Sequence, residues 1–156
     1  MTAGLIFSQR LKLRCRQLEL TIQFIERVET EIRYTASPCE EIIRHISQDE
    51  RFAELKFLTE FCNTPSSGRS FASRFQSAVD ASKGWLCLQD DDTDKLKEFS
   101  SDMGLTDVEG QIKNCELYRG ILEGSLKEAE EQKNKKCSLY RSLSVMGAAA
   151  AAVIMI

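Results

Sequence analysis

Six cysteines are the side chains best equipped for chemistry in this sequence, and their spacing denies them a shared site. Cys15, Cys39, Cys62, Cys87, Cys115 and Cys137 are each more than twenty residues from the next. No C-x-x-C occurs, so neither a zinc motif nor a redox pair has local support. Met1–Phe7 is too short for the apolar core of a secretory leader. The thiols are therefore expected to be reduced and to fill small apolar sites in a reducing compartment. The single histidine, His45, has no second metal-type ligand nearby and reads as an ordinary helix residue. The run Asp90-Asp91-Asp92-Thr93-Asp94 invites a calcium reading, but a calcium-binding loop needs Gly at its sixth position and Glu at its twelfth. Lys95 and Ser101 stand there instead. Acids ahead of a helix suit its N-terminal dipole equally well. Adjacent carboxylates such as Glu40-Glu41 and Glu130-Glu131 are common on charged helices, and no G-x-S-x-G, P-loop or H-E-x-x-H motif is present. The expectation is a protein that is not an enzyme, with no catalytic residue, no cofactor and no metal.

The elements around these residues are helical. The chain has 156 residues, 42% apolar and 29% charged, enough for one domain with a core plus an extension. Only 2 Pro and 8 Gly argue against many short strands. A net charge of −3 is too weak for nucleic acid bound by bulk charge. That charge is unevenly spread. Arg10, Lys12, Arg14 and Arg16 lie near one end, behind the apolar stub Leu5-Ile6-Phe7. Lys133, Lys135, Lys136 and Arg141 lie near the other, ahead of an apolar tail. With those four cations removed from each end, the body carries −11. Cations beside apolar tips are what a domain held at the cytoplasmic face of a membrane would show.

A first helix is expected from about Leu5 to Tyr34. Leu11, Leu18, Ile25 and Ile32 recur every seven residues, and Cys15, Ile22 and Val28 widen the stripe. Ser37-Pro38-Cys39-Glu40 then reads as a stop and a new start, with Ser37 and Glu40 as a capping box. Short helices are expected to about Gln48 through Ile42, Ile43 and Ile46, over Asp49–Cys62, from Phe71 to about Lys83-Gly84, and over Thr93–Met103. Trp85-Leu86-Cys87-Leu88 forms an apolar patch between the last two. Thr106 and Glu109 read as a second capping box, opening a helix of about 50 residues, about 75 Å, to the C-terminus. Its stripe runs through Val108, Cys115, Leu122, Ala129 and Leu143. Gly120 and Gly124, among charges, suggest a tight helix crossing within the soluble part. The fold expected is an all-α helical bundle, with long antiparallel first and last helices as a stalk and short middle helices at its far end.

The domain division expected is a cytoplasmic domain over residues 1–142 and a membrane anchor over 143–156, carried by Leu143, Val145, Met146, Val153, Ile154, Met155 and Ile156. Val145–Ile156 gives only about 18 Å of helix against a hydrocarbon core of about 30 Å. Starting at Leu139, with Arg141 snorkelling, gives about 27 Å. Nothing polar follows Leu143 except Ser144, which favours membrane over a buried Ala-rich end.

Three segments, in order, resemble one family. Met103-Gly104-Leu105-Thr106-Asp107-Val108-Glu109-Gly110-Gln111 is similar to the L-G-x-x-D-x-x-x-Q turn of the stage III sporulation protein AB family of endospore-forming bacteria. Glu31-Ile32-Arg33-Tyr34, followed by Ser37-Pro38, resembles its E-I-x-Y…P-L turn. Lys136 and Leu139–Gly147 resemble its C-terminal approach to the membrane. The family ordinarily opens with a full membrane helix, of which Leu5-Ile6-Phe7 remains here; Cys39 stands where Leu is frequent and Ser144 where Gly is. The resemblance implies a domain like the cytoplasmic domain of type II secretion F proteins. It further implies a non-catalytic component of the secretion-like channel between mother cell and forespore, on the mother-cell cytoplasmic side of the cell membrane. The partners it implies are a secretion-type ATPase, stage III sporulation protein AA, and other stage III channel proteins. The alternative is a generic membrane-tethered adaptor or coiled-coil homodimer, although Lys133 and Lys136 interrupt a continuous self-pairing seam.

Overall fold

A computed structural model describes residues 2–154. Its elements are α1 (Thr2–Thr35), α2 (Cys39–Ser47), α3 (Lys56–Asn63), α4 (Phe71–Ser82), α5 (Asp90–Asp102) and α6 (Val108–Ile154), with a single 3₁₀ turn at Glu50–Phe52. No strand occurs among the described residues. The all-α architecture with long outer helices stands as expected. α1 and α6 pair along most of α1, and α2 to α5 pack on each other and on the pair.

α1 is long because nothing from Leu5 to Ser37 breaks it, and because it is covered from two sides. Leu11, Cys15, Leu18, Ile22, Ile25, Val28 and Ile32 are all buried, as the seven-residue step predicts. So are Arg14, Gln17, Thr21, Phe24 and Glu31, which widens the buried face to more than half the circumference. Phe24 sits at the centre of the core. Its ring meets Phe57 edge-on at 5.7 Å, Phe52 at 6.4 Å and Phe99 at 6.5 Å, and stacks on Phe75 at 6.4 Å.

The expected third helix is interrupted. The Asp49 carboxylate accepts the Arg51 amide at 3.0 Å and starts the 3₁₀ turn, and Leu55 leaves helical geometry before α3 begins at Lys56. Phe52, Leu55, Leu58 and Phe61 are nevertheless all buried. The spacing of three fits a tight turn feeding a short helix as well as one continuous helix.

Both capping boxes are corrected. α2 starts at Cys39 with Pro38 ahead of it, and no side chain caps it. Ser37 lies one residue too far upstream. Glu40 turns instead to Arg74 at 2.5 Å, and Arg74 also donates to the Thr64 carbonyl at 2.9 Å, tying α2 to α4 and the loop before it. At α6 the cap is shifted by one: Asp107, not Thr106, accepts the Gly110 amide at 2.9 Å. Glu109 pairs with Lys113 at 3.0 Å.

The Gly120–Gly124 crossing is corrected too. A methyl group built on either glycine would meet nothing within 4 Å. The stripe of α6 also ends sooner than its spacing predicts. Cys115, Leu122 and Ala129 are buried, but Val108 and Leu143 are exposed.

Candidate membrane interface

The two termini of the long helices meet at one end of the bundle. There the Lys136 ammonium sits over the Phe7 ring, 3.3 Å from its centroid, and the Tyr140 ring lies against Gly4. A Cβ at Gly4 would meet the Tyr140 hydroxyl, so a larger residue there would displace this exposed ring. Between the helices an open cleft of about 740 Å³ is lined by Gly4, Leu5 and Ser8 from α1 and by Cys137, Ser138, Tyr140, Arg141 and Ser144, among others, from α6.

Past this point α6 changes character. Ala129 is its last buried residue, and from Cys137 to Ile154 every residue is exposed. Within α6 lies a stretch long and apolar enough to cross a membrane, none of it buried in the chain's own fold. Leu143, Val145, Met146, Val153 and Ile154 are all open, Ile154 at 85%. Met155 and Ile156, the last two expected anchor residues, lie outside the described residues. The α1 tip adds Leu5, Ile6 and Phe7 to the same apolar end, also exposed. An exposed apolar surface of this extent marks contact with lipid or another protein.

The basic collar is smaller than its sequence suggests. Arg10, Lys12, Lys135 and Arg141 are exposed near the apolar end, and Lys133 and Lys136 are half-buried. Arg16 is exposed but pairs with Glu54 at 2.7 Å. Arg14 does not belong to the collar. It is 3% exposed and donates Nε to Asp92 Oδ2 at 2.8 Å and Nη2 to Oδ1 at 3.1 Å. That hydrogen bond holds its pKa above the ordinary arginine value. The signal was present in the sequence: Arg14 lies between Leu11 and Leu18 in the apolar stripe, a position a cation occupies only with a buried partner.

Asp92 is correspondingly not part of an acidic surface. It is fully buried and also accepts the Gln89 amide at 3.0 Å, at the start of α5. α5 starts at Asp90, three residues earlier than expected, because Asp92 serves the first turn from within. Asp90 and Asp91 stay exposed, paired with Lys83 at 3.4 Å and Lys95 at 2.6 Å. Among the described residues no group of three or more His, Cys, Asp or Glu is placed to hold a metal. His45 lies 3.3 Å from Glu31, which Arg27 also holds at 2.6 Å.

At the opposite end, the L-G-x-x-D-x-x-x-Q segment has a physical logic. Gly104 takes φ +81°, the left-handed geometry that ends α5 and favours glycine. Asp107 caps α6. Gln111 donates Nε2 to the Thr106 carbonyl at 3.0 Å and accepts from the Cys39 thiol at 3.5 Å, fastening the turn to the start of α2. Burial pushes the Cys39 thiol up from its ordinary value.

The comparisons agree with this pattern. The family model for stage III sporulation protein AB matches residues 1–156. A solved structure described as stage III sporulation protein AB superposes with a TM-score of 0.67 at 22% identity, covering 79% of this chain and 98% of that one. No curated protein sequence matches. The chain belongs to the stage III sporulation protein AB family.

Proposed function

We propose that this protein is a non-catalytic, membrane-anchored component of the secretion-like channel between mother cell and forespore. Residues 1–142 form its domain on the mother-cell cytoplasmic side, and residues 143–156 form its anchor. Its role is to hold a secretion-type ATPase, stage III sporulation protein AA, at a fixed distance from the cell membrane, together with other stage III channel proteins. The observation that carries the reading is the run from Leu143 to Ile154, which stays apolar and exposed where the cationic ends of α1 and α6 meet. Family membership supports the sporulation role. The rigid α1–α6 pair supports the spacing role, since a paired helix transmits length as a loop does not.

The test is fractionation of sporulating cells. The full-length chain is expected in the membrane pellet, resistant to salt and released by detergent. Ala149→Arg, near the middle of the anchor, carries an insertion cost of about 2.5–3.5 kcal/mol and shifts the chain markedly toward the soluble fraction. Wild-type chain that stays soluble at ordinary salt sinks the anchor. Detergent-solubilised chain that recovers no secretion-type ATPase sinks the scaffold role and leaves the generic adaptor.

A further inference from the structure

The end of the bundle away from the apolar tips is closed by two turns, one joining α1 to α2 and one joining α5 to α6. It lies about 45 Å along α1 from Gly4. Cys39, at the start of α2, holds the turns together. Its thiol donates to Gln111, and its sulfur is 3.8 Å from where a Cβ on Gly104 would stand. Gly104, Asp107 and Gln111 thus have structural roles in this corner. Tyr34 and Leu105 have none: Tyr34 is 83% exposed and Leu105 80%. Val108, opening α6, is half-exposed, and Leu117 is exposed two and a half turns along it. Leu117 belongs to this end because its neighbour Glu116 meets Arg33, the neighbour of Tyr34, at 3.4 Å. Away from the apolar end, only Leu13 and Trp85 among the described residues are also large, apolar and open. Scattered exposed apolar residues need no explanation, but a gathering of them on a braced end marks a contact surface.

The charge around these side chains selects the partner. Glu41 of α2 lines a hollow with Thr35 and Ser37 of the first turn, and Asp102 and Asp107 flank Leu105 in the second. All three acids are exposed, and none has a cationic partner among the described residues. The nearby cations are taken, Arg33 by Glu29 at 2.8 Å and Lys113 by Glu109 at 3.0 Å. An apolar surface rimmed by uncompensated acids complements a protein face with an apolar hollow and a cationic rim. A second copy of the chain does not fit, since its own acids would be brought against these. An anionic bilayer does not fit for the same reason, and the apolar run from Leu143 lies at the opposite end of α6. We propose that this acid-rimmed tip is a docking surface for a protein partner, with Tyr34 and Leu105 as its apolar anchors and Glu41, Asp102 and Asp107 steering the partner's cations. The partner is the secretion-type ATPase, an identification that rests on the function proposed above.

The full-length chain in an uncharged detergent is immobilised, and the purified ATPase is passed over it in biolayer interferometry. Saturable binding is expected. Tyr34→Ala and Leu105→Ser should each weaken it about tenfold, the loss expected of a central apolar anchor. Asp102→Lys should slow association, most at low salt. Trp85→Ala, an open apolar side chain elsewhere on the surface, should leave binding unchanged. All four positions are exposed, so each variant should melt with the wild type. Binding that survives Tyr34→Ala and Leu105→Ser, or that Trp85→Ala weakens as much, overturns the docking surface while the ATPase reading stands. No binding by the wild type overturns both. Sedimentation of the chain alone checks the other occupant: self-association abolished by Leu105→Ser gives the tip to a second copy and overturns the proposal.

Discussion

Asp92→Asn is the most informative single change in the bundle. It keeps the shape of the side chain and removes its charge, leaving the Arg14 guanidinium 3% exposed with no counter-charge. Two opposite charges about 4 Å apart attract by about 4 kcal/mol at the effective dielectric of a protein site. Breaking a buried pair from one side costs about 3–5 kcal/mol by experience with other proteins. The two estimates agree, and either is a large share of a typical stability of about 5–15 kcal/mol. At roughly 2–4 °C per kcal/mol for a chain of this size, the midpoint should fall by about 10 °C. The assay is thermal melting of the full-length chain in mild detergent, followed by circular dichroism at 222 nm. Asp91→Asn is the control, since Asp91 is exposed and its pair with Lys95 is worth only about 0.3–0.5 kcal/mol. The double change Arg14→Met with Asp92→Leu should recover only part of the loss, because an apolar pair avoids the desolvation cost of the ions but leaves the Gln89 amide without its acceptor. If Asp92→Asn melts with the control, Arg14 and Asp92 do not form the buried pair described.

Three further outcomes follow from the same structure. Phe24→Ala removes the ring at the centre of the aromatic cluster and should cost about 3–5 kcal/mol in denaturant unfolding. Cys137, exposed at the apolar end, should react with a maleimide at pH 8 in the folded protein, whereas fully buried Cys115, its pKa pushed up to about 12 by burial, should react only after unfolding; mass spectrometry of the labelled chain checks the order. The ammonium of Lys97, hydrogen-bonded to Asp80 at 2.6 Å, has its pKa raised above the ordinary lysine value of 10.5. A raised pKa means the charged form is favoured in the fold, so this contribution is complete below pH 10.5 and lost as pH climbs through the folded value. The stability gap between wild type and Asp80→Asn should therefore hold steady through neutral pH and narrow above pH 10.5.

The long helices are legible because each repeats a seven-residue apolar step, unbroken in α1 and broken only at Lys136 in α6, and a repeating step needs no knowledge of the partner. Phe24 was not, because that step assumes one packing neighbour, and α1 has α6 on one side and the short helices on the other. The third helix was misread because a spacing of three serves both a continuous helix and a 3₁₀ turn; the Asp49 contact to the Arg51 amide decides it, and it is local geometry rather than periodicity. The capping boxes failed by a single residue each, since Ser or Thr followed by Glu fits more than one register and the helix starts at Pro38 and at the Asp107 carboxylate settled it. The basic collar was overcounted for a different reason. A count of charges says nothing about direction; the place of Arg14 between Leu11 and Leu18 in the apolar stripe does, and it points into the bundle.

The position of Arg14 also bears on how the apolar end is held. Ala129 is the last residue that α6 buries, so from there to Tyr140 its path is set only by the first turns of α1. Those turns are fixed in turn by Arg14, whose partner Asp92 sits at the start of α5, and by Gln17, whose side-chain carbonyl accepts the Cys87 amide at 2.7 Å. The short helices thus brace the apolar end of α1 through one loop and one ion pair, and α1 braces α6. Rigidity at the apolar end is borrowed from the bundle at a single level of the stalk, that of the buried Arg14–Asp92 pair.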